Sequence, residues 1–99
     1  MAKKSKMKMK ILRSEGSGVW AGEVVSKEGD AVVLKNAIRL WYWYGAASLS
    51  ELAQIGTTQP NKCKFCIPVD EVEVFNVLEI LSVTAEAEAS IKGVEPWTA

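Results

Sequence analysis

The residue types available for chemistry are few, and one absence decides much. The 99 residues include no histidine. That removes Ser-His and Cys-His nucleophilic pairs and every histidine metal ligand. Cys63-Lys64-Phe65-Cys66 forms a C-x-x-C pair. A structural zinc site needs about four ligands, and no second pair exists. A redox C-x-x-C opens a helix in a βαβ setting. This pair lies in β-like sequence, where positions three apart face opposite sides. Asp70, Glu71 and Glu73 cluster with no other catalytic group near them in sequence. Their expected role is a solvated edge that resists edge-to-edge pairing. There is no phosphate-binding loop and no dinucleotide fingerprint. The expectation is a protein that is not an enzyme, with no cofactor and no metal.

The run Trp41-Tyr42-Trp43-Tyr44 holds both tyrosines and two of the four tryptophans. If it is a strand, Arg39, Trp41 and Trp43 share one face. Ile38, Leu40, Tyr42 and Tyr44 share the other, which reads as core. Trp41 and Trp43 suit stacking on a flat ring, with Arg39 and Lys35 as cations and Tyr44 as a wall. Gly45-Ala46-Ala47 then leads into Ser48-Leu49-Ser50-Glu51, a capping box. Free amides there, with the hydroxyls of Ser48 and Ser50, suit a phosphate. Glu51 counts against an anion unless its carboxylate turns into the box. The competing reading is packing or oligomer contact through Trp41 and Trp43. A pocket between subunits would satisfy both.

The elements that must position these residues follow from pattern and punctuation. The length fits one domain, with little margin for burial. Net charge is zero, yet Lys3, Lys4, Lys6, Lys8, Lys10 and Arg13 make up half of the basic residues. Residues 1–7 are expected to be a flexible basic leader and 8–99 one globular domain. Strands are expected at Lys8–Ser14, Val19–Ser26, Ala31–Leu34, Ala37–Tyr44, Cys63–Val69 and within Val72–Val83. Gly22 suggests a bulge or close approach, and Asn36 a bend or bulge. Helices are expected at Leu49–Ile55, ended by Gly56, and at Ala85–Lys92, capped by Thr84 and stopped by Gly93. Trp97 is a candidate anchor. The sum is a mainly β, α+β fold: a small antiparallel sheet or barrel of about five to six strands with two short helices. No signal peptide or membrane span is legible, so a cytoplasmic protein is expected. In that compartment two cysteines do not imply a disulfide.

The central run also resembles a family of small bacteriophage-encoded proteins. The residues that carry the likeness are Val33-Leu34-Lys35-Asn36-Ala37, Arg39-Leu40-Trp41-Tyr42-Trp43, Gly45-Ala46-Ala47-Ser48-Leu49 and Leu52-Ala53. Cys63, Pro68-Val69, Glu79-Ile80 and Ser90-Ile91 follow. The likeness spans roughly residues 10–97. Some phage proteins of this size class are sponges for the cyclic nucleotide signals of bacterial immunity, such as the CBASS pathway. The resemblance therefore implies immune evasion in the host cytoplasm by a homo-oligomer, a dimer or tetramer, that sequesters a cyclic nucleotide. Two other readings stay open. One is a single-stranded nucleic-acid-binding module using the basic arm. The other is a structural or inhibitor protein that docks its aromatic face on a protein partner.

Overall fold

A computed structural model describes residues 8–99. The expected basic leader, 1–7, lies outside the described residues. The elements are β1 (Met9–Ser14), β2 (Gly18–Glu28), β3 (Ala31–Tyr42), α1 (Leu49–Gln54), a 3₁₀ turn (Pro60–Lys62), β4 (Lys64–Phe65), β5 (Val69–Val74), β6 (Val77–Ser82) and α2 (Ala85–Lys92). The fold is mainly antiparallel β with two short helices, as the sequence pattern indicates.

Three differences from expectation alter the strand layout. The two strands flanking Asn36 are one, because Asn36 adopts a left-handed φ of 51° and bulges without ending the ladder. The strand expected at Cys63–Val69 shrinks to the two residues of β4, which pair with the end of β3, while the Phe65 carbonyl accepts from the Trp97 amide at 2.8 Å. The strand expected within Val72–Val83 begins earlier and is broken at Phe75-Asn76, where Asn76 has φ 58°.

That break shapes the molecule. The strand order is β4-β3-β2-β1-β6, with β5 also on β3. All pairings between the named strands are antiparallel, so β5 and β6 run in the same direction. They are two halves of one bent strand. The first half borders β3 and the second borders β1, on opposite sides of β2. The sheet must curl about β2 for this to happen. The β2–β3 ladder permits it through two register shifts: between Ala21 and Glu23 the extra residue lies on β3, at the Asn36 bulge, and between Val24 and Ser26 it lies on β2. Bulges of this kind bend a strand and raise its twist. Gly22 lies in the first of them. A Cβ there would stand 3.1 Å from the Lys35 carbonyl oxygen and 3.2 Å from the Ala37 Cα. The bend is tied to both hairpin tips: the Val77 amide donates to the Asp30 carbonyl, and the Glu15 amide to the Asn76 carbonyl, each at 2.9 Å.

Curling gives the sheet two buried faces. Met9, Ile11, Ala21, Ile38 and Leu40 meet the helices through Leu52, Ala53, Ala87 and Ile91. Leu12, Trp20, Val32, Leu34, Ala37 and Val74 form the other core. Strict alternation would send Ala37 to the face opposite Val32 and Leu34. The Asn36 bulge resets it, so Ala37 joins them and Ile38 and Leu40 turn to the helices. Each fully buried Leu or Ile contributes about 1.5–3 kcal/mol. Both helices are capped as their sequences suggest. Ser48 Oγ accepts from the Glu51 amide at 3.1 Å, and Thr84 Oγ1 from the Ala87 amide at 3.0 Å. No helix among the described residues is long and apolar enough to cross a membrane.

Candidate functional site

Antiparallel pairing sets Arg39 of β3 opposite Trp20 of β2. The guanidinium carbon lies 4.2 Å from the centroid of the Trp20 indole. Arg39 Nη1 also donates to the Ser17 carbonyl at 2.7 Å. The cation is therefore held on two sides by its own chain. A guanidinium has five N–H donors, and this uses one. Trp20 itself is 5% exposed, and its Nε1–H finds no hydrogen-bond acceptor among the described residues.

The Ser17 contact brings the β1–β2 turn against the end of β3. Gly16 and Gly18 take φ values of 102° and 86°, which L-residues with a side chain rarely adopt. Ser14 Oγ steadies the turn, bonding to Ser17 Oγ at 2.6 Å and to the Gly18 carbonyl at 2.9 Å. The Gly16 and Ser17 amides donate to no other backbone group among the described residues. A Cβ on either glycine would meet nothing within 4 Å, so the space beside the turn is open. Between this turn and Arg39, Leu40, Trp41 and Trp43 lies a cleft of about 280 Å³.

Seven residues stand out in the sequence as a candidate site, and the fold gathers three of them. Arg39, Trp41 and Trp43 line the cleft together. Trp41 is 63% exposed, and Trp43 is half-buried against the helix-side core. The expected core face through Tyr42 and Tyr44 is corrected: both rings are about half exposed. β3 ends at Tyr42, and without a ladder the alternation that would bury Tyr44 is not imposed. The Tyr44 carbonyl accepts from the Thr57 hydroxyl at 2.5 Å, and its ring lies 5.2 Å from the Lys62 ammonium. That places Tyr44 against the loop after α1 and outside the cleft.

Lys35 lies across the Asn36 bulge, exposed, with Glu23 and Glu71 opposite it on the neighbouring strands. Ser48 and Ser50 do not line the cleft either. The expected phosphate cradle beside them is closed by the chain itself. Ser48 Oγ is taken by the cap, and Glu51 Oε1 accepts from the Ala47 amide at 2.7 Å. That carboxylate occupies the place an anion would take.

The sequence reading missed the wall formed by Gly16, Ser17 and Gly18, and the Trp20 platform under Arg39. The strand limits at Ser14 and Val19 imply a connection between them, but its meeting with Arg39 depends on strand register. The cysteines are both free. Cys63 is buried, with its sulfur 3.5–3.6 Å from polar atoms of Tyr44, Thr57 and Gln59. Among the described residues no group of three or more His, Cys, Asp or Glu is placed to hold a metal ion.

A family model described as a domain of unknown function, DUF6948, matches residues 7–91. No curated protein and no solved structure matches the chain.

Proposed function

We propose that this chain, which belongs to the DUF6948 family, is a non-enzymatic nucleotide-binding protein of a bacteriophage. It acts as a homo-oligomer in the host cytoplasm and sequesters a cyclic nucleotide signal of bacterial defence. The observation that carries this reading is the immobilised Arg39 cation flanked by two indoles and a glycine turn. A base stacks on Trp41 and Trp43. Its phosphate meets the remaining Arg39 donors and the open amides of Gly16 and Ser17. A cation already fixed by Trp20 and Ser17 loses little entropy when an anion arrives. Glu15 is the acid next to the turn; it is exposed, and solvent screens it.

The phosphate end thus moves from the α1 cap to the β1–β2 turn. The cleft's 280 Å³ falls just under the usual range of about 300–1,000 Å³ for ligand pockets. It suits one base and its phosphate rather than a whole cyclic oligonucleotide. A second copy then supplies the rest of the site and covers Trp41. Sequestration needs slow release and no turnover, in keeping with a chain that has no histidine.

Calorimetric titration with a panel of cyclic di- and trinucleotides tests the reading. At least one should bind at micromolar concentration or tighter and be recovered intact. Trp41→Ala should weaken it by about 1–3 kcal/mol, the usual worth of one stacked base. If no nucleotide gives heat at micromolar concentration, the reading fails. The exposure of Trp41 would then favour a protein partner on the same surface.

A further inference from the structure

The end of β3 carries rings on its other face as well, and there they alternate with cations. The β3–β4 ladder sets Tyr42 opposite Lys64. Directly opposite residues share a face of the sheet. β4 turns Phe65 into the helix-side core, so Lys64 and Tyr42 point outward. Two residues further along the same register Tyr44 meets Lys62, whose ammonium lies 5.2 Å from the centroid of the Tyr44 ring. On the other side of β4, Trp97 bridges in parallel to Cys66. The Lys64 ammonium lies 5.2 Å from the centroid of the Trp97 indole. Two rows result, Tyr42–Lys64–Trp97 and Tyr44–Lys62, separated by two residues of strand, or about 6.6 Å.

The side chains in these rows are uncovered. Tyr42, Tyr44 and Trp97 are 46%, 49% and 48% exposed. Grouped apolar surface of this kind marks a binding face. Neither ammonium forms an ion pair among the described residues, whereas Arg13 and Lys92 are paired with Glu79 and Glu88. Contact with a ring leaves the charge of a lysine uncompensated. The face therefore offers positive charge between flat rings.

We propose that this face binds unpaired, single-stranded nucleic acid. Each nucleotide brings what the rows lack: a flat base to stack on Trp97, Tyr42 or Tyr44, and a phosphate for Lys62 or Lys64. An acidic peptide supplies carboxylates without a ring at every residue. A duplex supplies phosphates with its base faces already stacked. Glu95 borders Trp97 in a groove of about 620 Å³. It pairs with neither lysine, and it makes the Trp97 side a place for a base rather than a phosphate. The site is separate from the cleft, because Trp41 alternates to the opposite face of β3. The cleft ligand has no part in it.

Fluorescence anisotropy of labelled oligothymidylate and oligouridylate, each about ten nucleotides long and so within the usual site size, tests the proposal on the full chain. Both should bind with a Kd of about 1–100 µM and weaken as salt rises. A duplex of the same length should bind more weakly, although charge alone would favour it. Trp97→Ala should weaken single-strand binding about 5- to 150-fold, the worth of one stacked base. Lys62→Gln and Lys64→Gln change only exposed charges. Each should lower the slope of log K against log salt by about 0.7. Lys27→Gln, on the β2–β3 tip, should leave the slope unchanged, and Glu95→Gln should tighten binding. No change in anisotropy at about 100 µM protein overturns the proposal and leaves the rings to a protein partner. So does a duplex that binds as well as the single strand, or a salt slope that Lys62→Gln and Lys64→Gln leave intact. Oligonucleotide anisotropy and cyclic-nucleotide heat are separate readouts, so this face and the cleft fail independently.

Discussion

Arg39 performs two tasks with one side chain. It lies flat on Trp20 and ties the glycine turn to β3 through Ser17. Lysine can keep the charge, but it cannot stack as a plane or present a fork of donors. Arg39→Lys should therefore lower the melting temperature modestly, by the loss of about 1 kcal/mol of cation–π attraction. It should lower nucleotide affinity by more than that, because the preset donors go too. A thermal melt and a titration on the same variant separate the two effects. If affinity is unchanged, Arg39 is only a structural clamp. Arg39, Trp41 and Trp43 were legible in the sequence because residue type and spacing alone marked them. Ser48 and Ser50 misled for a physical reason. The features that make a capping box also make an anion site, and only coordinates show that Glu51 has filled it.

The elements show the same division. Helix limits were readable because they rest on local chemistry: Ser48 and Thr84 as caps, Gly56 and Gly93 as stops. Thr84 also does something non-local. Its hydroxyl donates to the Gln54 carbonyl at 2.7 Å and so joins the end of α1 to the start of α2. Thr84→Ala should cost about 1–2 kcal/mol, at the high end for a cap. Thr84→Ser should recover most of it, measured by urea unfolding. Ser48→Ala, which removes the other cap, should cost less, because α1 retains the Glu51 contact to Ala47. The strands were harder to read. The Asn36 bulge was visible as an asparagine between two β-rich runs. The break at Phe75-Asn76 also falls on an asparagine, but it lies inside a run of β-formers that reads as one strand, where periodicity does not locate a left-handed residue.

For the whole molecule, closure depends on late residues. β1 is buried on both faces and paired on both edges, to β2 and to β6. A chain cut after Phe75 would lose β6 and α2. Ile11 and Leu12 would then each lack a neighbour across the ladder. Such a chain should show no cooperative thermal transition by circular dichroism, even though most of its residues remain. A sharp transition there would mean that β1–β3 and β5 fold as an independent unit. Strand count and class were legible in the sequence. The curl was not, because it arises from which strand the second half of the bent strand meets.

That geometry also sets an order of events in time. The Lys10 ammonium bonds to Ser82 across 72 residues of chain. On a ribosome, β1 emerges first and must wait for almost the whole protein before its second edge is covered. Long-range pairing of this kind is slow, because loop closure precedes any return in contact energy. Through that interval β1 exposes the row of backbone groups that β6 will later take. A neighbouring nascent chain would offer the same β6. The strand that closes one molecule could then close another, and crowded synthesis would favour exchanged dimers over correctly closed ones.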